Sequence, residues 1–363
     1  MASSTPLVLV TGATGYVASH VVQQLLQQGH RVRATVRSLK DHVKVKHLHE
    51  LCPSAEHKLE LVEADLLDAD SWTPAVQGCT YVQHVASPFP SAPPKRDDDL
   101  IRPAVDGTLN VLRAALASGT VQRVVLTSSV VAVASAGGNV TPYTESDWAD
   151  EKSPHTGAYN KSKILAERAA WDFVKTVPAE RKFELAVVNP VLVVGPALHG
   201  NPGTSIEIIK RLMEHKIPRC PKFTFAVVDV RDVAKAHVVC MTSQEAAGKR
   251  HILSTANLWL SDIAKILDSE FCQHGYNIPT GELPNFVTNL ASFFDKGLHS
   301  AKVFASKVIL LDNSRMTKVL NISPRDVRTT FIDMGNSMID HGLVKRSDKY
   351  KGRPSAGQQQ ASE

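Results

Sequence analysis

Tyr159 and Lys163 stand four residues apart in the run Thr156-Gly157-Ala158-Tyr159-Asn160-Lys161-Ser162-Lys163, which opens a helical pattern reaching Phe173. On a helix that spacing puts both side chains on one face. A phenol ordinarily keeps its proton up to about pH 10. An ammonium on the same face favours the phenolate and lowers that value. The pair is therefore expected to pass a proton to or from a substrate oxygen near neutrality. Ser129, in the run Leu126-Thr127-Ser128-Ser129 after an apolar strand, offers a hydroxyl to the same oxygen. Tyr-x-x-x-Lys arises by chance on many exposed helices, so its weight here comes from what precedes it.

What precedes it is a nucleotide cradle. Leu7-Val8-Leu9-Val10 reads as a strand buried on both faces, as in a parallel sheet. The chain then turns at Gly12 and Gly15, and apolar residues at Val17, Val21, Val22, Leu25 and Leu26 mark a helix that Gly29 ends. Strand, glycine turn and helix form the first arm of a dinucleotide-binding unit, in which the turn admits a pyrophosphate and the helix N-terminus offers it free N–H groups. Ala18 takes the third small position of that fingerprint, where helix packs on strand.

The second strand candidate, residues 31–37, decides the cofactor. A unit that takes NAD places an Asp or Glu at this strand end, on the ribose 2′-hydroxyl. Here no acidic residue precedes Asp41; the strand ends in Arg37, with Lys40, Lys44 and Lys46 beyond it. Guanidinium forks match phosphate oxygens and a nearby lysine adds charge. The pattern favours the 2′-phosphate of NADP(H) over NAD(H).

Further strand candidates follow at residues 59–65, 80–86, 121–126 and 185–196, the last leaving the sheet at Pro190. Strands alternating with helices at this spacing predict an α/β fold with a doubly wound parallel sheet of Rossmann type. We expect residues 1–196 to form the nucleotide domain, with a return segment at 225–245. Residues 197–224 and 246–345 should make a smaller mixed substrate lobe. Phe223, Phe225, Phe286, Phe293 and Phe294 belong there, more plausibly as core than as pocket lining. The polar, aperiodic residues 346–363 are expected to be a disordered tail.

Composition narrows the class. The chain has 363 residues, 43% of them apolar, and a formal net charge of +5, which argues for neither nucleic acid nor membrane. No apolar run approaches the roughly 20 residues of a membrane span. Residues 1–6 lack the basic start of a secretory signal. Five cysteines without paired spacing point to a reducing, cytoplasmic setting. His42, His47 and His49 lie close together without ligand-type spacing to Cys or carboxylate, so no metal site is expected.

Taken jointly, residues 10–19 (Val-Thr-Gly-Ala-Thr-Gly-Tyr-Val-Ala-Ser), 33–37, Asp65-Leu66, 84–88 (His-Val-Ala-Ser-Pro), 126–129, Tyr159 to Lys163 and 189–196 (Asn-Pro-Val-Leu-Val-Val-Gly-Pro) resemble the extended short-chain dehydrogenase/reductases. More closely they look like the dihydroflavonol 4-reductase family, with its cinnamoyl-CoA reductases and aldehyde or ketone reductases. The resemblance spans about residues 6–345 and implies Ser129, Tyr159 and Lys163 as catalytic residues. Tyr159 would protonate a carbonyl oxygen after hydride arrives from NADPH, while Lys163 would hold the nicotinamide ribose and tune the tyrosine. The implied cofactor contacts are Gly12, Thr14, Gly15, Tyr16 and Val17 at the turn and Arg37 and Lys44 at the 2′-phosphate. Asp65, Leu66, Val85, Ala86, Ser87, Thr127, Pro190, Val191, Leu192, Val193 and Ser205 complete the set, with Tyr159 and Lys163.

The resemblance departs at the substrate. Dihydroflavonol reductases carry an asparagine soon after the catalytic serine, where this chain reads Val130-Val131-Ala132-Val133-Ala134. That favours a less polar aldehyde or ketone. Residues 156–159 lack the signature of cinnamoyl-CoA reductases, whereas Ala18-Ser19-His20 is similar to fungal aldehyde reductases. The expected partner is a small carbonyl or alcohol, and the expected state a monomer or homodimer. The alternatives are an NADP-dependent hydroxyl dehydrogenase of sterol type, an epimerase or dehydratase of the same fold, and a non-catalytic NADP-binding sensor.

Overall fold

The computed structural model describes residues 5–88, 94–135, 139–154, 156–200, 206–284 and 308–353. The chain runs β1 (Leu7–Val10), α1 (Tyr16–Gln27), β2 (Arg31–Val36), α2 (His42–Glu50), β3 (Glu60–Glu63), α3 (Trp72–Val76), β4 (Tyr81–His84), α4 (Asp98–Ser118) and β5 (Arg123–Thr127). It continues with α5 (Ala158–Thr176), β6 (Glu184–Pro190), β7 (Leu192–Val194), α6 (Glu207–Met213), β8 (Thr224–Asp229) and α7 (Val230–Thr242). Last come β9 (Arg250–Leu253), β10 (Ala256–Trp259), α8 (Leu260–Phe271) and α9 (Val327–Asp340).

Seven parallel strands make the main sheet in the order β3-β2-β1-β4-β5-β6-β9. β1 shows why its apolar run is continuous. Val8 and Val10 pack into the core under α1, α2 and α7, while Leu7 and Leu9 pack into the one under α3, α4 and α5. Helices cover both faces, so every side chain of β1 is buried. Burying one such Leu or Val contributes about 1.5–3 kcal/mol. The doubly wound α/β fold expected from the sequence is borne out.

α1 follows the apolar spacing read from the sequence and stops where a left-handed residue is needed. Gly29 has φ +76, its N–H donates to the Leu26 carbonyl (3.1 Å), and His30 N–H donates to the Leu25 carbonyl (3.0 Å). This is a Schellman end, which only a residue without Cβ forms cheaply.

A second sheet, β10-β8-β7, is mixed, with β8 parallel to β7 and antiparallel to β10. It joins α6, α8 and α9 in a separate apolar core. Phe223 is buried near it and Phe225 is half-buried, whereas Phe286, Phe293 and Phe294 lie outside the described residues. Three parts of the chain sit elsewhere than the sequence suggested. β7, within the expected nucleotide domain of residues 1–196, and β8, at the start of the expected return segment 225–245, both belong to the second sheet, because they pair with each other and β8 with β10. Arg250–Leu253, assigned to the smaller lobe, is the seventh strand of the main sheet, paired from Val187↔Arg250 to Pro190↔Leu253. The expected tail is ordered at its start, because Tyr350 is only 4% exposed and donates its hydroxyl to Asn336 Oδ1 at 2.8 Å. One buried aromatic is enough to anchor an otherwise polar segment there.

Among the described residues, no helix is long and apolar enough to cross a membrane.

Candidate active site

With all strands of the main sheet parallel, the loops after β1, β2, β3, β4, β5 and β6 open on one edge. Chain order reverses between β1 and its neighbours β2 and β4, and ligands of such sheets bind in the crevice at that point. The candidate residues on these loops therefore converge there.

The glycine turn is tightly specified. Gly12 has φ +67, and a Cβ on it would lie 3.0 Å from Ala86 Cβ. Its N–H donates to Thr35 Oγ1 (3.0 Å), and Gly15 N–H donates to the Gly12 carbonyl (2.9 Å). The Thr11 hydroxyl accepts from the Val85 and Ala86 N–H groups (3.0 and 2.9 Å), fastening the end of β4 against the turn. α1 then starts with no side-chain cap and no acidic residue in its first turn, leaving its first N–H groups to an anion. Thr14 and Val17 are partly exposed and Gly15 is exposed beside those groups. The Tyr16 side chain turns away: its hydroxyl donates to the Gly195 carbonyl at 2.6 Å, so only its backbone faces the cradle.

The basic patch is uneven. Arg37 lies just past β2, exposed and with no hydrogen-bond or ion-pair partner among the described residues. Lys44 is already ion-paired with Asp41, which also caps α2. Asp65 is exposed past β3 and accepts from Leu67 N–H (2.9 Å), while the Leu66 carbonyl accepts from Asn110 Nδ2 (2.9 Å). Such an uncapped helix start, a cradle that a Cβ would obstruct and a free guanidinium fit a dinucleotide bearing a 2′-phosphate.

On the other side of the crevice, the Ser129 hydroxyl neighbours the Tyr159 phenol and favours its ionised form. Ser129 is held at the end of β5: its hydroxyl accepts from Val131 N–H, and its carbonyl accepts from Asn189 Nδ2 (3.2 Å). Lys163, one turn along α5 from Tyr159, is 7% exposed. It lines a cavity of about 10 Å³ with Ala86, Ser87, Thr127, Ser128 and Glu167. Thr127 spends its proton inward on His237 Nε2 (2.8 Å), since His237 Nδ1 faces Gln83 Oε1 (2.8 Å) and Gln83 Nε2 donates to the His237 carbonyl (3.1 Å). Pro190 and Val191 are buried and Leu192 and Val193 half-buried where β6 passes into β7; Ser205 lies outside the described residues. A cavity of about 580 Å³ along α1, bordered by His20, Arg231, Arg325 and His341, holds none of the candidate site residues.

The electrostatics differ from the sequence expectation. Burial pushes the Tyr159 phenol up to about 12. The lowering expected from Lys163 is not found: burial is the leading cause, and Ser129 is the group that opposes it. Burial also lowers the Lys163 ammonium to about 8, with the Glu167 carboxylate pulling upward. Beside them His84 is held neutral, lowered to about 3 by burial first, then by the Lys163 charge and by His237.

Sequence reasoning missed the polar network under this face. Glu167 has 0% exposure and takes hydrogen bonds from Ser128 Oγ (2.6 Å), Asn189 Nδ2 (2.8 Å) and Arg250 Nε (2.6 Å). Its spacing of four from Lys163 was a legible signal. Arg250 carried none, because its role depends on β9 joining the main sheet.

The comparisons with known proteins agree with this fold. The model of the NAD dependent epimerase/dehydratase family matches residues 8–255. A cinnamoyl-CoA reductase of Medicago truncatula is 39% identical over 269 residues, covering 72% of this chain and 79% of its own. An anthocyanidin reductase of Arabidopsis thaliana is 32% identical over 320 residues, 84% of this chain and 87% of its own. The solved structure of yeast methylglyoxal/isovaleraldehyde reductase complexed with NADPH superposes with a TM-score of 0.75 at 29% identity, covering 93% of this chain and 99% of that one. The resemblance to extended short-chain dehydrogenase/reductases is thereby borne out. The chain belongs to the NAD dependent epimerase/dehydratase family and is an oxidoreductase with a nicotinamide dinucleotide as its cofactor.

Proposed function

We propose that the protein is an NADPH-dependent reductase of a small aldehyde or ketone, with Tyr159 as proton donor and Ser129 and Lys163 as its partners. The observation that carries this reading is the gathering of three groups at the end of β5: Ser129 beside the Tyr159 phenol, which is pushed up to about 12, and the buried Lys163 one helical turn away. A neutral phenol is the form that can protonate a carbonyl oxygen, whereas alcohol oxidation would have to begin from the phenolate that burial disfavours. Ser129 holds the carbonyl oxygen against Tyr159. Lys163 holds the nicotinamide ribose and places positive charge near the developing alkoxide. Bound NADPH supplies the hydride.

Arg37 supports NADP(H) over NAD(H), being free to fork onto a 2′-phosphate. The relatives named above are reductases, and the solved one holds NADPH. The lobe of β7, β8, β10, α6, α8 and α9 is taken to bind the rest of the substrate, and the apolar run after Ser129 to favour a weakly polar one. All five cysteines are free, which suits a cytosolic setting.

The test is loss of NADPH absorbance with methylglyoxal, isovaleraldehyde, a 1,2-diketone, a steroid ketone, cinnamoyl-CoA and a dihydroflavonol, repeated with NADH. Turnover with NADPH on one of these is expected. Tight NADPH binding with no turnover across the panel would contradict the reading.

A further inference from the structure

Residues 159, 163 and 167 recur every fourth position, so Tyr159, Lys163 and Glu167 share one face of α5, with Tyr159 half-buried and Lys163 and Glu167 buried. Lys163 and Glu167 both line the small cavity beside Ser87 and Thr127, and Glu167 has no exposure at all. Its carboxylate takes hydrogen bonds from Ser128 Oγ (2.6 Å), Asn189 Nδ2 (2.8 Å), Arg250 Nε (2.6 Å) and Nη2 (3.3 Å), and Trp171 Nε1 (3.2 Å). These donors come from the segment after β5, from β6, from β9 and from α5 itself. Three of the elements that build the reaction centre are thus tied to one carboxylate.

A buried ion pair is poor evidence of added stability, because well-packed apolar residues of similar volume would often serve as well. What apolar residues could not do is orient polar groups. Asn189 Nδ2 reaches both Glu167 and the Ser129 carbonyl. Arg250 anchors the loop after Ser129 through the carbonyls of Ala132 (3.2 Å), Glu145 (3.2 Å) and Asp147 (2.5 Å). Lys163, for its part, has no carboxylate within ion-pair contact among the described residues, and Glu167 acts on it across one helical turn.

We infer that Glu167 is a positioning residue of this site: its carboxylate fixes the Ser128–Ser129 segment against α5 and stands one helical turn from the Lys163 ammonium, beside the same small cavity, as its electrostatic counterpart. This rests on the reductase reading only where turnover is used as a readout. The titratable and charged groups facing Lys163 are Tyr159 and Glu167 from α5 and His84 from β4, with His237 of α7 behind His84 and Arg250 of β9 behind Glu167. Burial holds both histidines neutral, and Glu167 is the carboxyl group that favours the Lys163 ammonium.

The test is the titration of Lys163 in the full chain labelled with ¹³Cε-lysine, its signal assigned by its absence in Lys163→Arg. Glu167→Gln keeps the volume and removes the charge. Its Lys163 midpoint is expected about one pH unit below that of the wild type. In the same variant, carbonyl reduction should fall at every pH as the Ser128–Ser129 segment loosens, and fall roughly a further tenfold above the shifted midpoint, a pH-dependent loss that a merely structural role would not give. Because Glu167→Gln leaves Arg250 without its carboxylate, Glu167→Gln/Arg250→Met serves if the single variant does not fold, with a downward shift again expected. An unchanged or raised midpoint in the folded variant overturns the inference. The titration needs no turnover, so an absence of carbonyl reduction in the wild type would fail the functional reading separately.

Discussion

The Lys44 ammonium lies 2.7 Å from the Asp41 carboxylate, so the lysine that sequence placed at the 2′-phosphate is already paired. Arg37 has no such partner among the described residues. Arg37→Ala should therefore raise the Kd for NADPH about 10- to 100-fold with little change for NADH, the usual worth of a charge-assisted hydrogen bond. Lys44→Ala should change either Kd by less than about 3-fold, because an exposed pair is worth little. Fluorescence titration of each variant with both cofactors checks the ranking.

Gly12 combines φ +67 with a near contact to Ala86. Gly12→Ala must strain the turn and displace the end of β4, at a cost of about 1–3 kcal/mol. NADPH affinity should fall at least tenfold, while the far-ultraviolet dichroism stays that of the wild type. An unchanged Kd would show that this turn does not receive the pyrophosphate.

Burial places the Lys163 ammonium at about 8. Lys163 is charged below that value and neutral above it. If the site needs the cation, kcat/KM is retained toward neutral pH and lost as pH rises through about 8. The measurement is a pH profile of kcat/KM, with Lys163→Met expected to lose activity across the whole range rather than move the limb.

Acid should destabilise the fold through its buried histidines. His84, His199 and His237 are each lowered to about 3, with burial as the first cause. Unfolded histidine takes up a proton near pH 6.5, whereas these do so only far below it, so the unfolded state binds more protons as pH falls. Their stabilising contribution is complete above about pH 6.5 and declines below it, by about 1.4 kcal/mol per pH unit for each such group. Denaturant unfolding at several pH values should show the decline. His199→Gln, away from the reaction centre and stacked on His47 at 3.9 Å, should remove about one histidine's share of the slope.

Much of this was legible because it depends on local sequence. The strand-turn-helix at Leu7 to Gln27 states its own period, its own turn and its own stop at Gly29. The joining of Ser129, Tyr159 and Lys163 follows from parallel strands, which bring the loops after them to one edge. What was not legible depends on contacts distant in sequence. Lys44 pairs with an aspartate that sequence could show nearby but not aim. The polarity of the Tyr159 environment depends on burial, which spacing does not report. Arg250 reaches Glu167 from 83 residues away. Only Ile252 and Leu253 are apolar in the stretch around it, which gave no sign that it would extend the main sheet. Tyr350 hid in a polar stretch, where one aromatic does not change the composition.

The most direct test of the account is the single-turnover rate of carbonyl reduction by Tyr159→Phe with saturating NADPH. The phenyl ring keeps the packing and removes only the proton that Tyr159 is said to give. The account predicts a fall of about 10²- to 10⁴-fold in rate with NADPH affinity unchanged. A Tyr159→Phe protein that reduces its carbonyl at the wild-type rate would contradict it.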